Sequence, residues 1–242
     1  LAPGGPGDFD NGYVGVGGVI ERRGEILAFY HAEDHEQMGK ISYNDVHSFY
    51  ASIGLAVSND GGRVFEKRGC ILTSRSSKQP SGAEAQGIGD VSVCLSKDRS
   101  HVLAYFSDWT DMKAQGTQIS LARAKVGSAD NPKAWKKWHN DDFTEQGLGG
   151  SSTPVIDLRP QGGDAHAPHV QYVTSLGCYV ATYCVLSYAD FESHKSDSSG
   201  IAVAFSIDGI HWPRRELVYH AMTVPRPGDR ITIHPTMIIE KT

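Results

Sequence analysis

The acidic, imidazole and indole side chains that could do chemistry in this chain precede or follow short apolar segments. Asp90 precedes the segment VSVCL, and His31 and Glu33 follow the segment ILAFY. Asp108 and Trp109 follow the segment VLAYFS at the matching place further along the chain. A carboxylate or imidazole at the end of a strand can act as a general acid or base, or can bind a polar ligand. An indole ring beside it can stack on an apolar face of the same ligand.

Three histidines lie on apolar segments of a second kind. His166 and His169 occur in HAPHVQY, and His234 occurs in HPTMII. Imidazole nitrogens are common metal ligands, so these side chains could bind a metal ion together, with His234 as the candidate ligand. The alternative is that all three are interior histidines whose hydrogen bonds the protein satisfies. The sequence has no CxxC pair and no Cys/His spacing typical of a zinc site.

A repeat of strand-like segments positions these side chains. The segments ILAFYHA, VLAYFSD and CYVATYC begin at Ile26, Val102 and Cys178, which are 76 residues apart twice over. Each is followed by a second apolar segment: IGLAVSNDGG, ISLARA or IAVAFSIDG. A repeat of this length, made only of strand-like pieces, predicts an all-β array of the β-propeller type. Functional residues of a propeller gather at the mouth of its central channel, so the repeat also predicts where a site would lie.

A first strand precedes each of these segments and gives a finer alignment. The aligned apolar positions are Val19, Val93, Val170 and Met237. The same alignment makes Val16, Asp90, Ala167 and His234 equivalent. Asp90 is the one carboxylate among these four residues, which makes it the leading candidate for a functional group at the channel mouth.

The repeat divides the chain into blades. We predict blade A at 12–75, blade B at 86–145, blade C at 151–220 and the start of blade D at 231–242, all in one domain over 1–242. Three blades and one strand do not close a ring of the four to eight blades that propellers have. We therefore expect a fragment of a longer protein, an incompletely covered ring, or a ring that another subunit completes. An open sheet edge would promote self-association.

Composition argues against several classes of partner. The chain has 23 Lys and Arg against 28 Asp and Glu and no basic run, so a nucleic-acid partner is not expected. No stretch approaches the roughly 18–20 apolar residues of a membrane span. The N-terminal LAPGGPGDFD has neither an initiator Met nor a signal-peptide pattern, which favours the trimmed end of a secreted or periplasmic protein. The four cysteines are expected to be free thiols, with a Cys70–Cys94 disulfide as the alternative.

Several of these segments resemble those of a known superfamily. GDVSVCL with VLAYFSDW, HAPHVQY and SIDGIHW are similar to the blade signatures of five-bladed β-propeller glycoside hydrolases. This superfamily contains the arabinanases, levansucrases and invertases of families 43, 32, 68 and 130. The resemblance implies an all-β, five-bladed propeller that hydrolyses a furanoside or related glycan with paired carboxylates at the central funnel. It implies a carbohydrate partner and no required cofactor, and the channel could hold a structural calcium.

The resemblance also suggests roles for individual residues. The superfamily uses an Asp on the first strand of blade one, an Asp on that of blade two and a Glu acid on blade three. Asp90 matches the blade-two position, and Asp10 is the nearest carboxylate upstream of the blade-one position. His166 stands where the acid Glu of the Glu-Gly-Pro-His pattern is expected. The predicted catalytic residues are therefore Asp90, Glu33 and Asp10. The predicted substrate contacts are His31, Asp108, Trp109, His166 and His169.

Two other interpretations remain open. A non-catalytic carbohydrate-binding propeller is favoured by the missing blade-three Glu. The turn SNDGG at Ser58–Gly62 resembles the Asp-box turn of sialidases, but no arginine triad accompanies it. A Ser or Cys triad has no support, because no G-x-S-x-G elbow occurs.

Overall fold

A computed structural model describes residues 1–39, 48–80, 85–110, 116–223 and 232–238, and these residues form an all-β protein with two sheets of nine and four strands. The strands of blade A are β1 (Tyr13–Arg22), β2 (Glu25–Asp34), β3 (Phe49–Ser58) and β4 (Glu66–Leu72). The two-residue turn between β1 and β2, Arg23–Gly24, has positive φ at both residues, as the tight turns of twisted hairpins require.

Blade B follows with five strands in the same sheet. They are β5 (Ala85–Leu95), β6 (His101–Asp108), β7 (Gln118–Lys125), β8 (Lys136–His139) and β9 (Asp142–Gln146). A short parallel pairing of Phe49–Ala51 in β3 with Ala85–Gly87 in β5 joins blades A and B. The other pairings of named strands within blades A and B are antiparallel.

Blade C is the separate four-stranded antiparallel sheet. Its strands are β10 (Gly163–Val173), β11 (Cys178–Ser187), β12 (Gly200–Ser206) and β13 (Arg214–His220). The short helix α1 (Tyr188–Ser193) follows β11, and 3₁₀ turns occupy Val126–Ser128, Pro132–Ala134 and Arg159–Gln161. No helix in the described ranges is long and apolar enough to cross a membrane.

Two apolar cores lie between neighbouring blades, because the central strands of each sheet bury both faces. The first core joins blades A and B through residues such as Leu27, Phe29 and Ile88, and the ring of Trp135 packs edge-on against Phe29 at 5.5 Å. The second joins blades B and C through residues such as Tyr105 and Tyr183. Sheets stacked face to face in sequence order confirm the all-β prediction, and the described strands form no closed sheet. Ring closure and blade number stay predictions.

All four cysteines are free thiols, as expected from their spacing. Cys94, Cys178 and Cys184 are buried, and Cys70 is partly buried.

Candidate functional site

The predicted site residues of blades A and B lie at one end of the sheets. Antiparallel pairing sets Tyr13, at the start of β1, opposite Glu33 near the end of β2. It sets Ile88 opposite Asp108 in the same way, near the start of β5. The ends of the second strands and the beginnings of the first strands therefore share one rim, and this rim is where His31, Glu33, Asp90 and Asp108 converge.

An irregularity in each first strand marks the equivalent positions. The pairing register shifts between Gly89 and Ser92 in β5, and between His166 and His169 in β10. Asp90, Ala167 and His234 all have left-handed backbones, with φ of 46°, 50° and 57°. A left-handed conformation costs a non-glycine residue about 1–2 kcal/mol, so three such residues at aligned positions indicate a built feature of the repeat.

The preceding blade holds each left-handed residue by its backbone N–H. The Asp90 N–H donates to Nδ1 of His31 at 3.0 Å, and the Ala167 N–H donates to Oγ of Ser107 at 2.8 Å. The His234 N–H makes the corresponding bond to Cys184. These contacts make His31, Ser107 and Cys184 equivalent.

The strand register shows that the 76-residue spacing applies once rather than twice. Val19 pairs with Ala28, Val93 with Ala104 and Val170 with Ala181. The third segment is therefore one residue further along the chain than the alignment of Cys178 with Val102 places it.

Asp90 is a nearly buried carboxylate held from two blades. Its side chain is 12% exposed, and its Oδ2 accepts a hydrogen bond from Ser107 Oγ at 2.9 Å. Its Oδ1 lies 3.7 Å from Nδ1 of His31. The carboxylate therefore has a fixed place at the rim between blades A, B and C.

His31 sits in a partly aromatic pocket next to Asp90. The rings of Tyr13, Phe49 and Trp109 surround it edge-on at 5.9–6.1 Å. Burial lowers the pKa of His31, but its hydrogen bond with Glu33 and the charge of Asp90 outweigh burial and raise that pKa above its usual value. Trp109 thus lies beside the central carboxylate, where a stacking platform was predicted.

Glu33 is bound by two imidazoles. Its Oε1 lies 3.1 Å from Nε2 of His31, and its Oε2 lies 2.6 Å from Nε2 of His35. Burial raises the pKa of Glu33, but the two histidines outweigh burial and lower that pKa below its usual value. A carboxylate in this state is ionised at neutral pH, so its surroundings do not favour the predicted proton-donating role.

Asp164 is a further carboxyl at this rim, and the motif comparison did not single it out. It lies on β10, is 7% exposed, and its Oδ1 accepts bonds from the Tyr188 hydroxyl at 2.6 Å and the Thr117 N–H at 3.0 Å. Burial raises the pKa of Asp164 although both donors oppose the rise. His166 feels the charges of both Asp90 and Asp164. The signal in the sequence was an acidic residue two positions before His166 on the same strand.

The predicted histidine contacts mainly bind backbone groups. His166 is buried, its Nε2 lies 3.4 Å from the Thr223 carbonyl oxygen, and burial lowers its pKa so that it is neutral at pH 7. Nδ1 of His169 accepts the Met237 N–H at 2.9 Å. Within the described ranges no three His, Cys, Asp or Glu side chains are arranged to hold a metal ion. The residues at His234 therefore do not fit a calcium ion, which prefers six to eight oxygen ligands.

Asp108 forms part of a separate polar cleft of about 240 Å³. Its Oδ2 accepts a bond from Ser152 Oγ at 2.7 Å, and its Oδ1 accepts the Thr110 N–H at 3.0 Å. The lining includes Arg75, Gly116, Gln118, His139 and Arg159. A Cβ on Gly116 would overlap Asp164, so the cleft opens beside the buried acid.

Asp10 is not brought to this rim cluster. Its Oδ2 binds the Tyr30 hydroxyl and the Lys67 ammonium. Tyr30 and His31 are successive residues of β2, so their side chains point to opposite faces of the sheet. Asp10 therefore lies on the other face of blade A from His31, and its contacts are those of a buried structural ion pair.

Comparison with known proteins identifies similar structures only. No protein-family model and no curated protein matches the chain. The α-L-arabinanase of Penicillium chrysogenum is 13% identical with a TM-score of 0.49, over 84% of this chain and 46% of that one. A family 117 glycoside hydrolase of Zobellia galactanivorans is 14% identical with a TM-score of 0.48, over 85% and 55%. A glycosyl hydrolase of Bacteroides ovatus is 16% identical with a TM-score of 0.44, over 85% and 51%.

The similar structures also include glycoside hydrolases of families 43 and 130, two of the families whose blade signatures this sequence resembles. This chain spans about half the length of the structures it matches. The residues at the rim therefore have to carry the functional inference themselves.

Proposed function

We propose that this chain carries the funnel carboxylates of a glycoside hydrolase of the five-bladed propeller type, acting on a furanoside or related glycan. The observation that supports this function is the placement of Asp90. Its left-handed backbone is held by His31 of the preceding blade, and its carboxylate is bound by Ser107 of its own blade. Two blades thus fix one carboxylate at the rim, as an active-site carboxylate requires.

The chemistry needs one carboxylate and one proton donor. Glycoside hydrolysis proceeds through an oxocarbenium-like transition state, in which an acid protonates the leaving oxygen and a carboxylate stabilises the positive charge or activates water. Asp90 takes the second role. Water then supplies the hydroxyl group on the sugar carbon, and its released proton restores the acid, so the reaction consumes one water molecule.

Asp164 is the better candidate for the acid than Glu33. Burial raises the pKa of Asp164, whereas two histidines lower that of Glu33. Oδ1 of Asp164 accepts both printed hydrogen bonds, so the proton of the neutral acid belongs on Oδ2. This division matches the general pattern of two carboxyl groups whose environments push their pKa values apart.

The experiment replaces each carboxyl by its isosteric amide and measures hydrolysis of aryl furanosides and arabino-oligosaccharides. Asp90→Asn should abolish turnover and Asp164→Asn should lower kcat by about 10²–10⁴-fold, while circular dichroism stays native. An aryl furanoside with a good leaving group should recover much of the Asp164→Asn loss, since it needs no acid. Unchanged turnover in Asp90→Asn contradicts the proposal.

The second candidate function is carbohydrate binding without catalysis. It is supported by the engagement of both Glu33 oxygens with histidines and by the neutral His166 at the position of the expected acid. Binding on a glycan array with no product release from the same sugars would favour this function over hydrolysis.

A further inference from the structure

A chain of close polar contacts connects Asp90 to the protein surface through three side chains. Asp90 lies against Nδ1 of His31, Nε2 of His31 lies 3.1 Å from Glu33, and the other oxygen of Glu33 lies 2.6 Å from His35. Exposure of the side chains rises along this chain, from 11% at His31 to 16% at Glu33 and 25% at His35. The buried carboxylate is thereby linked to solvent.

The contacts fix which nitrogen of neutral His31 carries the proton. Nδ1 accepts the Asp90 N–H at 3.0 Å, so it must present a lone pair. The proton then lies on Nε2, where Glu33 accepts it. Glu33 therefore selects the tautomer of His31 that can hold the backbone of Asp90.

The surroundings are shaped for this contact. A Cβ on Gly89 would overlap the His31 ring, so glycine at this position lets the imidazole reach the Asp90 backbone. The titratable groups that face His31 are Glu33 on its own strand, Asp90 on β5 and, edge-on, the ring of Tyr13 on β1. The remaining ring neighbours, Phe49 and Trp109, carry no charge.

A second proton on His31 would change the partner of Nδ1. A protonated Nδ1 cannot accept the Asp90 N–H, and two N–H groups would then face each other. The nearest acceptor in this direction is Oδ1 of Asp90, 3.7 Å away. Protonation therefore removes the hydrogen bond that supports the left-handed Asp90 and pulls its carboxylate toward His31.

We propose that His31, Glu33 and His35 are positioning residues that hold Asp90 in its working orientation, with Glu33 selecting the His31 tautomer and His35 fixing Glu33. The role of Asp90 in the reaction rests on the proposed function, whereas the tautomer of His31 does not. None of the three side chains has to touch the substrate.

The first test reads the tautomer directly by ¹⁵N–¹H NMR of histidine-labelled protein. Wild-type His31 should show the Nε2–H form at neutral pH. Glu33→Gln keeps an oxygen acceptor and should keep this form, whereas Glu33→Ala should give a mixture of tautomers. The control is Glu192→Gln on the surface of α1, which should change nothing. An Nδ1–H form in the wild type, or an unchanged spectrum in Glu33→Ala, overturns the proposal.

The second test reads the pH profile of hydrolysis. The working enzyme needs neutral His31, so activity should fall as the pH drops through the pKa of His31. Glu33→Gln removes the charge that raises this pKa, so its acid limb should move to lower pH. Glu33→Ala should lower kcat by about 10- to 100-fold, with little change in KM. His35→Ala should lower kcat less, and His35→Gln, which can still donate to Glu33, should restore it.

The two tests separate the failures. If Asp90→Asn remains active, the proposed function fails while the NMR result can still stand. If hydrolysis depends on Asp90 but the acid limb of Glu33→Gln does not move, the positioning role is wrong.

Discussion

At the scale of single residues, the surroundings of each carboxyl decide its chemistry more than its place in a motif. Glu33 and Asp164 are both largely buried at the same rim, yet their pKa values shift in opposite directions. The difference lies in their partners. Two imidazoles that can carry charge face Glu33, whereas a neutral hydroxyl and one peptide N–H face Asp164.

Removing the Tyr188 hydroxyl should extend activity to higher pH. Burial raises the pKa of Asp164 and the Tyr188 hydrogen bond partly offsets this, so Tyr188→Phe should raise that pKa further. An acid works while it is protonated, so the alkaline limb of the kcat profile should move upward. The measurement is kcat against pH, with the exposed Tyr219→Phe as the control. A downward shift would contradict the assignment of Asp164 as the acid.

At the scale of elements, a buried lysine ties the inter-blade connections together. Lys137 on β8 is 1% exposed, and its Nζ donates to the carbonyl oxygens of Thr73 at 2.6 Å and Gly150 at 2.7 Å. Thr73 follows β4, and Gly150 precedes Ser152, which binds Asp108. One side chain thus positions the wall of the polar cleft.

Replacing this lysine should destabilise the protein. Lys137→Met leaves two buried carbonyl groups without a donor, at a cost of about 1–3 kcal/mol for such a loss. Urea unfolding measures the change, and the exposed Lys133→Met should stay within about 0.5 kcal/mol of the wild type. An equal effect of the two substitutions would show that the buried bonds contribute nothing.

The same comparison has a pH dependence. Burial lowers the pKa of Lys137 from 10.5 to about 8. Between these values the unfolded chain binds a proton that the folded chain does not, so the stability contribution of Lys137 rises with pH through this window. Wild type should therefore gain on Lys137→Met as the pH increases from about 8.

At the scale of the whole molecule, blade A leaves an apolar strand uncovered. β1 is the first strand in the order of the nine-stranded sheet, and Tyr13, Val16 and Val19 on it are each more than half exposed. An exposed edge strand with apolar side chains is a template for pairing with another chain.

This strand should make the chain self-associate. Light scattering after size exclusion should show dimers or larger species that increase with concentration, and Val19→Lys should reduce them. Val64→Lys is the matched control, because Val64 is equally exposed but lies between β3 and β4, outside any strand. Monomers at every concentration would contradict the prediction.

Much of the fold follows from local pattern. Alternating apolar segments and glycine-containing turns need only neighbouring residues to specify strands and hairpins, so the strands and the equivalence of Asp90 with Ala167 and His234 could be predicted. The spacing of 76 residues failed in the third repeat by one residue, because register depends on which residues pair across strands rather than on chain length.

The sequence by itself determined an all-β chain built from repeated units, with Asp90 as the carboxylate at the repeated position. Only the tertiary structure decided the roles of the other groups. It placed Asp10 on the opposite face of its sheet, bound Glu33 between two histidines and buried Asp164 beside Tyr188. The reason is physical: hydrogen-bond partners and burial set the protonation of a carboxyl, and both come from residues distant in the chain.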